Sequence, residues 1–455
     1  MRKAWYLTAI SLIIVLIILP LSSCNHGTTL YGVPAPEFKL NDVVGTIWDE
    51  ELMMGANKRI EQYRKGDATI LITDASDRPV EARVTIEMLK HDFLFGCNLL
   101  NLNQCNSSQL NKDYADAFIK LFNYGILPFF WDGYEPQPGD TLEETLLASA
   151  TWAKNHGITT QGHPLIWAMS VPSWVSQSPD EMGEVQKSRV SDTVKEFCGL
   201  IDYWDVMNEP TLASNQDNPL GRWIKMRTPE AVTRDALDWA WANCPEAKLI
   251  VNDYNTSNDY LSILQEVIKQ GGHISAVGIQ SHMHTGVWRF NYIWDICNRF
   301  SQLGIPLQFT EVTVLSGAAA NAPNSMDHNR VWKTTPEGEA LQANYVPALY
   351  TLLFSHPSVE AITWWDLSDL NAWQGAPAGL LRDDMSPKPA YDRLVKLIRG
   401  DWWTRESISS SSDGKAKWRG FYGLYRITIE FESRKVTTEV HLAKGADNVF
   451  RVRLP

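Results

Sequence analysis

Tyr203-Trp-Asp-Val-Met-Asn-Glu-Pro210 is a largely apolar, strand-like run of residues that ends on a glutamate and a proline. Seven other short runs share this strand-like character: Phe93–Asn98, Gly125–Trp131, Thr159–Trp167, Lys248–Asp253, Ala276–Ser281, Leu307–Thr310 and Ala361–Trp365. Each run is followed by a helix-like stretch, and residues 142–152 and 341–353 show apolar spacings of three and four. Strands that alternate with helices form a parallel sheet, and eight repeats over about 300 residues predict a closed (β/α)8 TIM barrel, an α/β fold. A doubly wound sheet would instead require a glycine-rich phosphate turn after an early strand, which the sequence lacks.

The predicted barrel is flanked by segments that alternate like β-strands. Before it, residues 68–73 and 82–88 have this pattern. After it, Ser407–Asp413 reads as a polar linker, and Tyr425–Phe431 and Lys435–Leu442 alternate like antiparallel strands. We therefore predict small β-rich additions at both ends. The expected division is residues 24–90 for an N-terminal linker and small β-element, 91–400 for the barrel and 401–455 for a C-terminal β-strand module.

The first residues have the pattern of an export signal. Arg2-Lys3 precedes the apolar run Leu12–Leu19, which is short for a membrane-spanning helix. The following Leu21-Ser-Ser-Cys24 resembles the lipobox of bacterial lipoproteins, in which the cysteine is acylated and becomes the mature N-terminus. We therefore expect a signal peptide over residues 1–23 and a lipid anchor on Cys24. The implied location is the outer membrane, at the cell surface or the periplasmic face. An uncleaved anchor and ordinary secretion are the alternatives.

The net charge and the cysteine spacing indicate which kinds of ligand the protein is expected to bind. The formal net charge of −12 argues against binding to nucleic acid through a basic patch. Beyond Cys24 there are five cysteines, Cys97, Cys105, Cys198, Cys244 and Cys297, and none has a spacing typical of zinc ligands. Because five is odd, at least one thiol stays free or pairs outside the chain, and we expect these residues to be mainly buried apolar filler. No metal or cofactor is expected, and the protein is expected to be a monomer.

Two glutamates end strand-like runs in this pattern. Glu209 closes the run quoted first, and Glu311 lies in Pro306-Leu-Gln-Phe-Thr-Glu-Val-Thr-Val314. In a (β/α)8 barrel the carboxyl ends of all strands open into one pocket, so these two residues can meet there. Cleavage of a glycosidic bond with retention requires such a pair, one carboxyl protonated and the other ionised. A single strand-end glutamate is more often structural, and it is the surrounding pattern that favours catalysis here.

Several segments carry a family resemblance over most of residues 60–400. In chain order they are Gly162-His-Pro-Leu-Ile-Trp167, Val171-Pro-Ser-Trp174, Trp204-Asp-Val-Met-Asn-Glu209, Ile279-Gln-Ser-His282, Phe309-Thr-Glu-Val312, Thr363-Trp-Trp-Asp-Leu-Ser-Asp369 with Trp373, and Ser386-Pro-Lys-Pro-Ala-Tyr391. Together they resemble the motifs of glycoside hydrolase family 10, the endo-β-1,4-xylanase family. Each motif alone is weak, but their order on the predicted strands is specific.

The resemblance implies roles for individual residues. Glu209 would be the acid/base and Glu311 the nucleophile of a retaining glycosidase. Asn208 would bond the 2-hydroxyl of the sugar, and His282 would orient Glu311. The substrate-binding residues would be Asn208, His163, Trp167, Gln280, His282, Trp365 and Trp373. Indole faces stack on the C–H faces of sugars, which suits a chain with nineteen tryptophans.

Two segments depart from the family pattern. The family usually carries Glu-Asn-x-x-Lys on strand two, whose amide and ammonium grip the sugars on the non-reducing side, and this chain has Ile126-Leu-Pro-Phe-Phe-Trp131 there. After Trp167 the family's His-x-Gln is replaced by Ala168-Met-Ser170. We therefore expect Leu127 and Phe130 to face the sugar, and an apolar space beside Phe129, Phe130 and Trp131. Weak activity on unsubstituted xylan follows from the lost polar contacts.

Three functions are consistent with the sequence. The first is a retaining endo-β-1,4-glycosidase that acts on xylan or a xylan-like plant polysaccharide. The second is the same double-displacement chemistry on a different β-linked or decorated glycan. The third is a non-catalytic surface lipoprotein that binds glycans. Retention of both glutamates favours an enzyme, because binding alone does not require both carboxyls.

Overall fold

The computed structural model describes residues 48–176, 178–319 and 332–455. The predicted signal peptide and Cys24 lie outside this part of the chain. Across the described ranges, no helix is long and apolar enough to cross a membrane.

Eight parallel strands form a closed barrel, as the sequence predicts. They are β3 (Leu94–Asn98), β4 (Tyr124–Pro128), β5 (Thr159–His163), β7 (Tyr203–Asn208), β8 (Lys248–Asp253), β9 (Ala276–Ile279), β11 (Leu307–Val314) and β12 (Val359–Trp364). Closure occurs where β12 pairs with β3, with Ile362 opposite Phe95. Two short strands extend the barrel at its carboxyl end, β6 (Ile166–Trp167) beside β7 and β10 (His282–Met283) beside β11.

Helices join the strands and cover the barrel. In chain order they are α1 (Glu50–Tyr63), α2 (Ser108–Leu121), α3 (Trp131–Tyr134), α4 (Glu143–Asn155), α5 (Met182–Glu196), α6 (Pro210–Ala213), α7 (Pro219–Arg227), α8 (Pro229–Asn243), α9 (Asn258–Lys269), α10 (Phe290–Ser301), α11 (Pro336–Ser355) and α12 (Pro389–Lys396). The described residues also include a 3-10 turn (Trp373–Gly375) and a π-helical turn (Leu397–Asp401). Several helices begin at a side chain that accepts a backbone N–H, as Ser107 does for α2 and Thr335 for α11.

The side chains inside the barrel change from apolar to polar along the barrel axis. Near the amino ends of the strands it is filled by a layer that consists of Leu94, Tyr124, Tyr203, Ile250, Ala276 and Ala361. The Tyr124 hydroxyl donates to Gln161 Oε1 at 2.6 Å, which begins a polar layer above the apolar one. Buried polar groups therefore increase toward the carboxyl ends of the strands, where barrel enzymes place their active sites.

The flanking β-segments combine into two sheets. β1 (Lys65–Thr73) pairs with β14 (Lys415–Phe421) and β17 (Val449–Arg453), and β2 (Arg83–His91) pairs with β13 (Arg405–Ser409) and β15 (Gly423–Phe431). β15 also pairs with β16 (Arg434–Leu442). The sheets contact each other through Trp418 and Tyr425, whose ring centroids lie 4.5 Å apart. Segments before and after the barrel thus share one apolar core.

Several local predictions were wrong. The strand predicted over Leu307–Thr310 extends to Val314, and the run Thr159–Trp167 forms two strands, β5 and β6. The serine-rich Ser407–Asp413 segment begins as part of β13, and Ser407 is paired with Thr85 of β2. Because β13 is exposed at the edge of its sheet, its residues are polar, and its composition resembles that of a linker. The strand predicted over Gly125–Trp131 ends at Pro128, because the chain turns there into α3.

A disulfide joins Cys198 and Cys244, while Cys97, Cys105 and Cys297 are free and buried. The bond connects the chain just after α5 to the chain just after α8. Disulfides persist in oxidising compartments, which suits an exported protein. The expectation of at least one free thiol is confirmed.

Removal of this disulfide should lower stability. The bond spans a sequence separation of 46 residues, and loop closure of that length is worth about 4 kcal/mol in the chain-entropy model. We expect the Cys198→Ala/Cys244→Ala variant to unfold at a lower temperature in a circular-dichroism melt. Reductant should lower the wild-type Tm toward the variant's value and leave the variant unchanged. An unchanged Tm in the variant would contradict this prediction.

Candidate active site

Glu209 and Glu311 lie at the carboxyl end of the barrel. Glu209 follows β7 directly and adopts a left-handed backbone conformation (φ 54°, ψ 52°), and its N–H donates to the Asn252 carbonyl at 2.7 Å. Glu311 is within β11, and only 4% of its surface is exposed. Because a left-handed conformation is uncommon for a residue other than glycine, the turn at Glu209 is set by its surroundings.

Three groups surround the Glu311 carboxylate. His282 Nε2 lies 2.8 Å from Oε2, and Asn252 Nδ2 donates to Oε1 at 2.7 Å. His163 Nε2 lies 3.9 Å from Oε1. Burial alone would raise the pKa of Glu311, but the His282 hydrogen bond and the nearby histidines outweigh it, so the pKa is lowered. The site therefore favours an ionised Glu311, as a nucleophile requires.

Glu209 has a different environment. Trp167 Nε1 donates to its Oε2 at 2.9 Å, and Gln280 Nε2 donates to its Oε1 at 3.1 Å. Burial is the largest influence and raises the pKa of Glu209, and the charge of Glu311 raises it further. The pKa values of the two carboxyls are thus shifted in opposite directions. A proton donor and a nucleophile require such a difference.

Amide side chains connect the two carboxyls. Asn208 Oδ1 accepts from Gln280 Nε2 at 3.1 Å and from Asn252 Nδ2 at 3.0 Å. Since its oxygen is occupied, the Asn208 Nδ2 group is left to donate to a substrate. Gln280 and Asn252 in turn bond Glu209 and Glu311, so one continuous set of hydrogen bonds orients both carboxyls.

His163 is held by a buried aspartate. Its Nδ1 lies 2.6 Å from Asp205 Oδ2, and both side chains are almost fully buried. Burial opposes a charge on the imidazole, but the bond to Asp205 outweighs it and raises the pKa of His163. A cationic His163 beside Glu311 would stabilise the carboxylate further.

Aromatic rings form the walls around these polar groups. Trp365 is buried, with its ring centroid 5.5 Å from that of His163 and 5.6 Å from that of His282. Trp373 is 37% exposed, and its ring centroid is 4.5 Å from that of His282. All nine site residues predicted within the described ranges therefore lie in one connected cluster.

The structure adds residues that the sequence reading did not identify. Asp205 and Asn252 orient His163 and Glu311, and Thr313 Oγ1 lies 2.9 Å from His282 Nδ1. Asp253 accepts from the backbone and hydroxyl of Thr211, which fixes the turn after Glu209. Burial raises the pKa of Asp253 to about 7. A polar residue on an otherwise apolar barrel strand is the signal that could have found Asp205, Asn252 and Asp253.

The expected apolar space beside strand two is smaller than predicted. Leu127 and Phe129 are fully buried in the large core cluster, so they do not face a sugar. Trp131 is also buried and stacks edge-on against Trp174. Phe130 alone is partly exposed, and its ring lies 5.3 Å from that of His163. Alternate residues of a strand point to opposite faces, and Leu127 of β4 points into the core, while Phe129 and Trp131 follow the end of the strand.

The carboxyl environments predict the pH dependence of kcat/KM. If Glu209 donates the proton and Glu311 is the nucleophile, activity should be lost as the pH rises through the raised pKa of Glu209. It should also be lost as the pH falls through the lowered pKa of Glu311. Trp167→Phe removes a donor to the Glu209 carboxylate, so the alkaline limb should move upward by about one unit. His282→Ala should move the acidic limb upward instead. A pH–rate profile in which either variant moves the other limb would contradict these assignments.

The chain is similar to known proteins over most of its length. The family model described as Glycosyl hydrolase family 10 matches residues 131–397, which is more than half of the chain. Anti-sigma-I factor RsgI6 from Acetivibrio thermocellus is 27% identical over 402 residues, covering 86% of this chain and 48% of that protein. Endo-1,4-beta-xylanase 1 from Arabidopsis thaliana is 22% identical over 389 residues, covering 82% of this chain and 37% of that protein. The chain thus spans less than half the length of these two relatives.

A solved structure agrees with the fold. Xylanase 10B from Thermotoga petrophila RKU-1, in complex with xylobiose, matches with a TM-score of 0.57 and 22% sequence identity. The match covers 68% of this chain and 95% of that protein. At this identity the likeness concerns the barrel fold.

Proposed function

The chain belongs to glycosyl hydrolase family 10, and we propose that it is a retaining endo-β-1,4-glycosidase that acts on xylan or a xylan-like plant polysaccharide. The observation that carries this proposal is the pair of unlike carboxyls. Burial favours a protonated Glu209, and hydrogen bonds from His282 and Asn252 favour an ionised Glu311. Such a pair supports double displacement at an anomeric carbon.

The proposed reaction has two steps. Glu311 attacks the anomeric carbon while Glu209 gives its proton to the departing glycosidic oxygen, and a glycosyl–enzyme ester forms. Glu209, now ionised, takes a proton from water, which attacks the same carbon and releases Glu311. The free Nδ2 of Asn208 would donate to the 2-hydroxyl, a contact that strengthens as the sugar approaches the oxocarbenium-like transition state. No step needs a cofactor.

A second candidate is the same chemistry on a different β-linked or decorated glycan. Phe130 supports this second candidate, because its apolar ring packs against His163 and Trp167 at a position where family members usually carry a lysine. A third candidate is a glycan-binding protein without catalysis. The hydrogen bonds that prepare both carboxyls favour the enzyme.

We also propose that the mature protein is a monomeric bacterial lipoprotein anchored in the outer membrane through Cys24. The lipobox-like sequence and the Cys198–Cys244 disulfide support export. Labelling of cells with a radioactive fatty acid should mark the wild-type protein and not the Cys24→Ser variant. Label in both would contradict the anchor.

Product analysis tests the proposed function. The purified protein is incubated with xylan, arabinoxylan, glucuronoxylan, xyloglucan, cellulose and mixed-linkage β-glucan, and released oligosaccharides are separated and identified. Internal cleavage of a xylan, abolished in Glu311→Ala, is the expected result. Release from a decorated xylan alone, or from another β-glycan alone, would support the second candidate. Binding without release would support the third.

Phe130 predicts weak turnover of linear xylo-oligosaccharides. A hydrogen bond from a charged donor is worth about 1.5–3 kcal/mol, so the absent lysine should cost at least about tenfold in kcat/KM. We therefore expect Phe130→Lys to raise kcat/KM for xylotetraose, and the matched apolar variant Phe130→Leu not to do so. Equal effects of the two substitutions would show that charge at this position is irrelevant.

A further inference from the structure

His284 lies in the wall of the active site without a role in the reaction described above. His284 is the first residue of the turn that follows β10 (His282–Met283), and its side chain is buried. The ring centroids of the two histidines are 5.6 Å apart. His284, two residues further along the chain, therefore continues the wall that begins at His282, the hydrogen-bond partner of Glu311.

Two tryptophans enclose His284. Trp373 meets it edge-on at 5.1 Å between ring centroids, and Trp332 lies 6.2 Å away. Trp373 also contacts His282 and is 37% exposed, so this ring is accessible from the open end of the barrel. A partly exposed indole beside a histidine presents both a stacking face and a hydrogen-bonding group, which together suit a sugar.

The imidazole of His284 has an unused hydrogen-bonding atom. The side chain is 6% exposed, and its Nε2 finds no hydrogen-bond partner among the described residues. Buried polar atoms usually have a partner, so an atom without one beside a substrate site indicates a ligand contact. Burial, and then the adjacent His282, lower the pKa of His284 to about 3. A neutral imidazole offers one donor and one acceptor, which matches a sugar hydroxyl better than a carboxylate.

We infer that His284 is a specificity-determining residue that hydrogen-bonds a hydroxyl group of the bound glycan packed against Trp373. This inference rests on the proposed function and deepens it, because it names a recognition group for the glycan beside the reacting sugar. His282 stands between His284 and Glu311, so His284 does not touch the reacting atoms. Trp373, whose indole borders His284, lies in a single 3-10 turn.

Paired substitutions test the inference. His284→Phe keeps a ring against Trp373 and removes both nitrogens, and His284→Gln keeps a hydrogen-bonding group near Nε2. With the β-glycan that the wild type cleaves best, His284→Phe should raise KM about two- to tenfold with little change in kcat, the loss of one net hydrogen bond in binding. His284→Gln should restore part of the affinity. Both variants should melt within a few degrees of the wild type.

Direct binding separates this inference from the proposed function. In the Glu311→Ala background, calorimetric titration with the hexasaccharide of that glycan, or with xylohexaose if no glycan is cleaved, should show the same increase in Kd for His284→Phe. Wild-type turnover is measured independently and tests the proposed function alone. An unchanged KM and Kd in a folded His284→Phe variant would overturn the inference. So would an equal loss in His284→Phe and His284→Gln accompanied by a lowered Tm, since that pattern marks a packing residue.

Discussion

Replacement of Glu311 by alanine should lower kcat on the preferred glycan on the order of 10⁵-fold, because the covalent nucleophile is removed. The side chain lies in the barrel mouth, hydrogen-bonded to His282 and Asn252, and its loss removes one hydrogen-bond partner from each of those two groups. The barrel itself should remain folded, since its strands are joined by backbone pairing. Steady-state release of reducing sugar measures the effect, and circular dichroism verifies the fold.

The matched control for this prediction is Glu311→Gln. It keeps the shape and one oxygen acceptor but cannot form a stable ester with the sugar, so its activity should be as low as that of alanine. Activity near that of the wild type in either folded variant would remove Glu311 from the mechanism. Because a carboxylate that only positions substrate could be replaced by an amide at modest cost, the glutamine variant separates the two roles.

Replacement of Glu209 by alanine should affect the two steps of the reaction to different extents on an activated substrate. On a polysaccharide, kcat should fall about 10²–10⁴-fold, the usual contribution of general acid–base catalysis. On an aryl β-xylobioside with a good leaving group, the first step needs little acid help, whereas hydrolysis of the ester still needs the base. The variant should therefore show a rapid burst of phenol followed by slow turnover, and mass spectrometry should find the glycosyl–enzyme.

Trp167→Phe is the control variant for the Glu209→Ala prediction. It removes a hydrogen bond to the Glu209 carboxylate but leaves the carboxyl in place, so both steps should continue without a burst. If Glu209→Ala slows the burst and the steady state equally on the activated substrate, acid/base duty does not belong to Glu209.

The barrel could be predicted because its strands are apolar and regularly spaced. The strand predicted over Tyr203–Asn208 coincides with β7, and Lys248–Asp253 coincides with β8. The errors concern places where local pattern and surroundings disagree. Ser407 is polar yet lies in a strand, because an edge strand needs no apolar face, and Leu127 faces the core because register decides its direction.

Both glutamates could be located from the sequence, although Glu311 lies within β11 and not at the strand end predicted for it, but the shifts of their pKa values could not be predicted. The pKa of Glu311 depends on His282, 29 residues earlier in the chain, and on Asn252, 59 residues earlier. Contacts across the barrel mouth of this kind depend on side-chain geometry, which periodicity does not contain. The pairing of β1 with β14 and β17 is similarly non-local, so the sequence could give strands at both ends but not their shared sheets.

The stereochemistry of the first product tests the central claim most directly. Proton NMR during hydrolysis of the oligosaccharide that the enzyme cleaves fastest can detect the anomeric signals before mutarotation equilibrates them. Double displacement through Glu311 predicts that the β-anomer appears first and the α-anomer grows in later. If the α-anomer appears first, hydrolysis proceeds with inversion, and Glu311 is not the nucleophile.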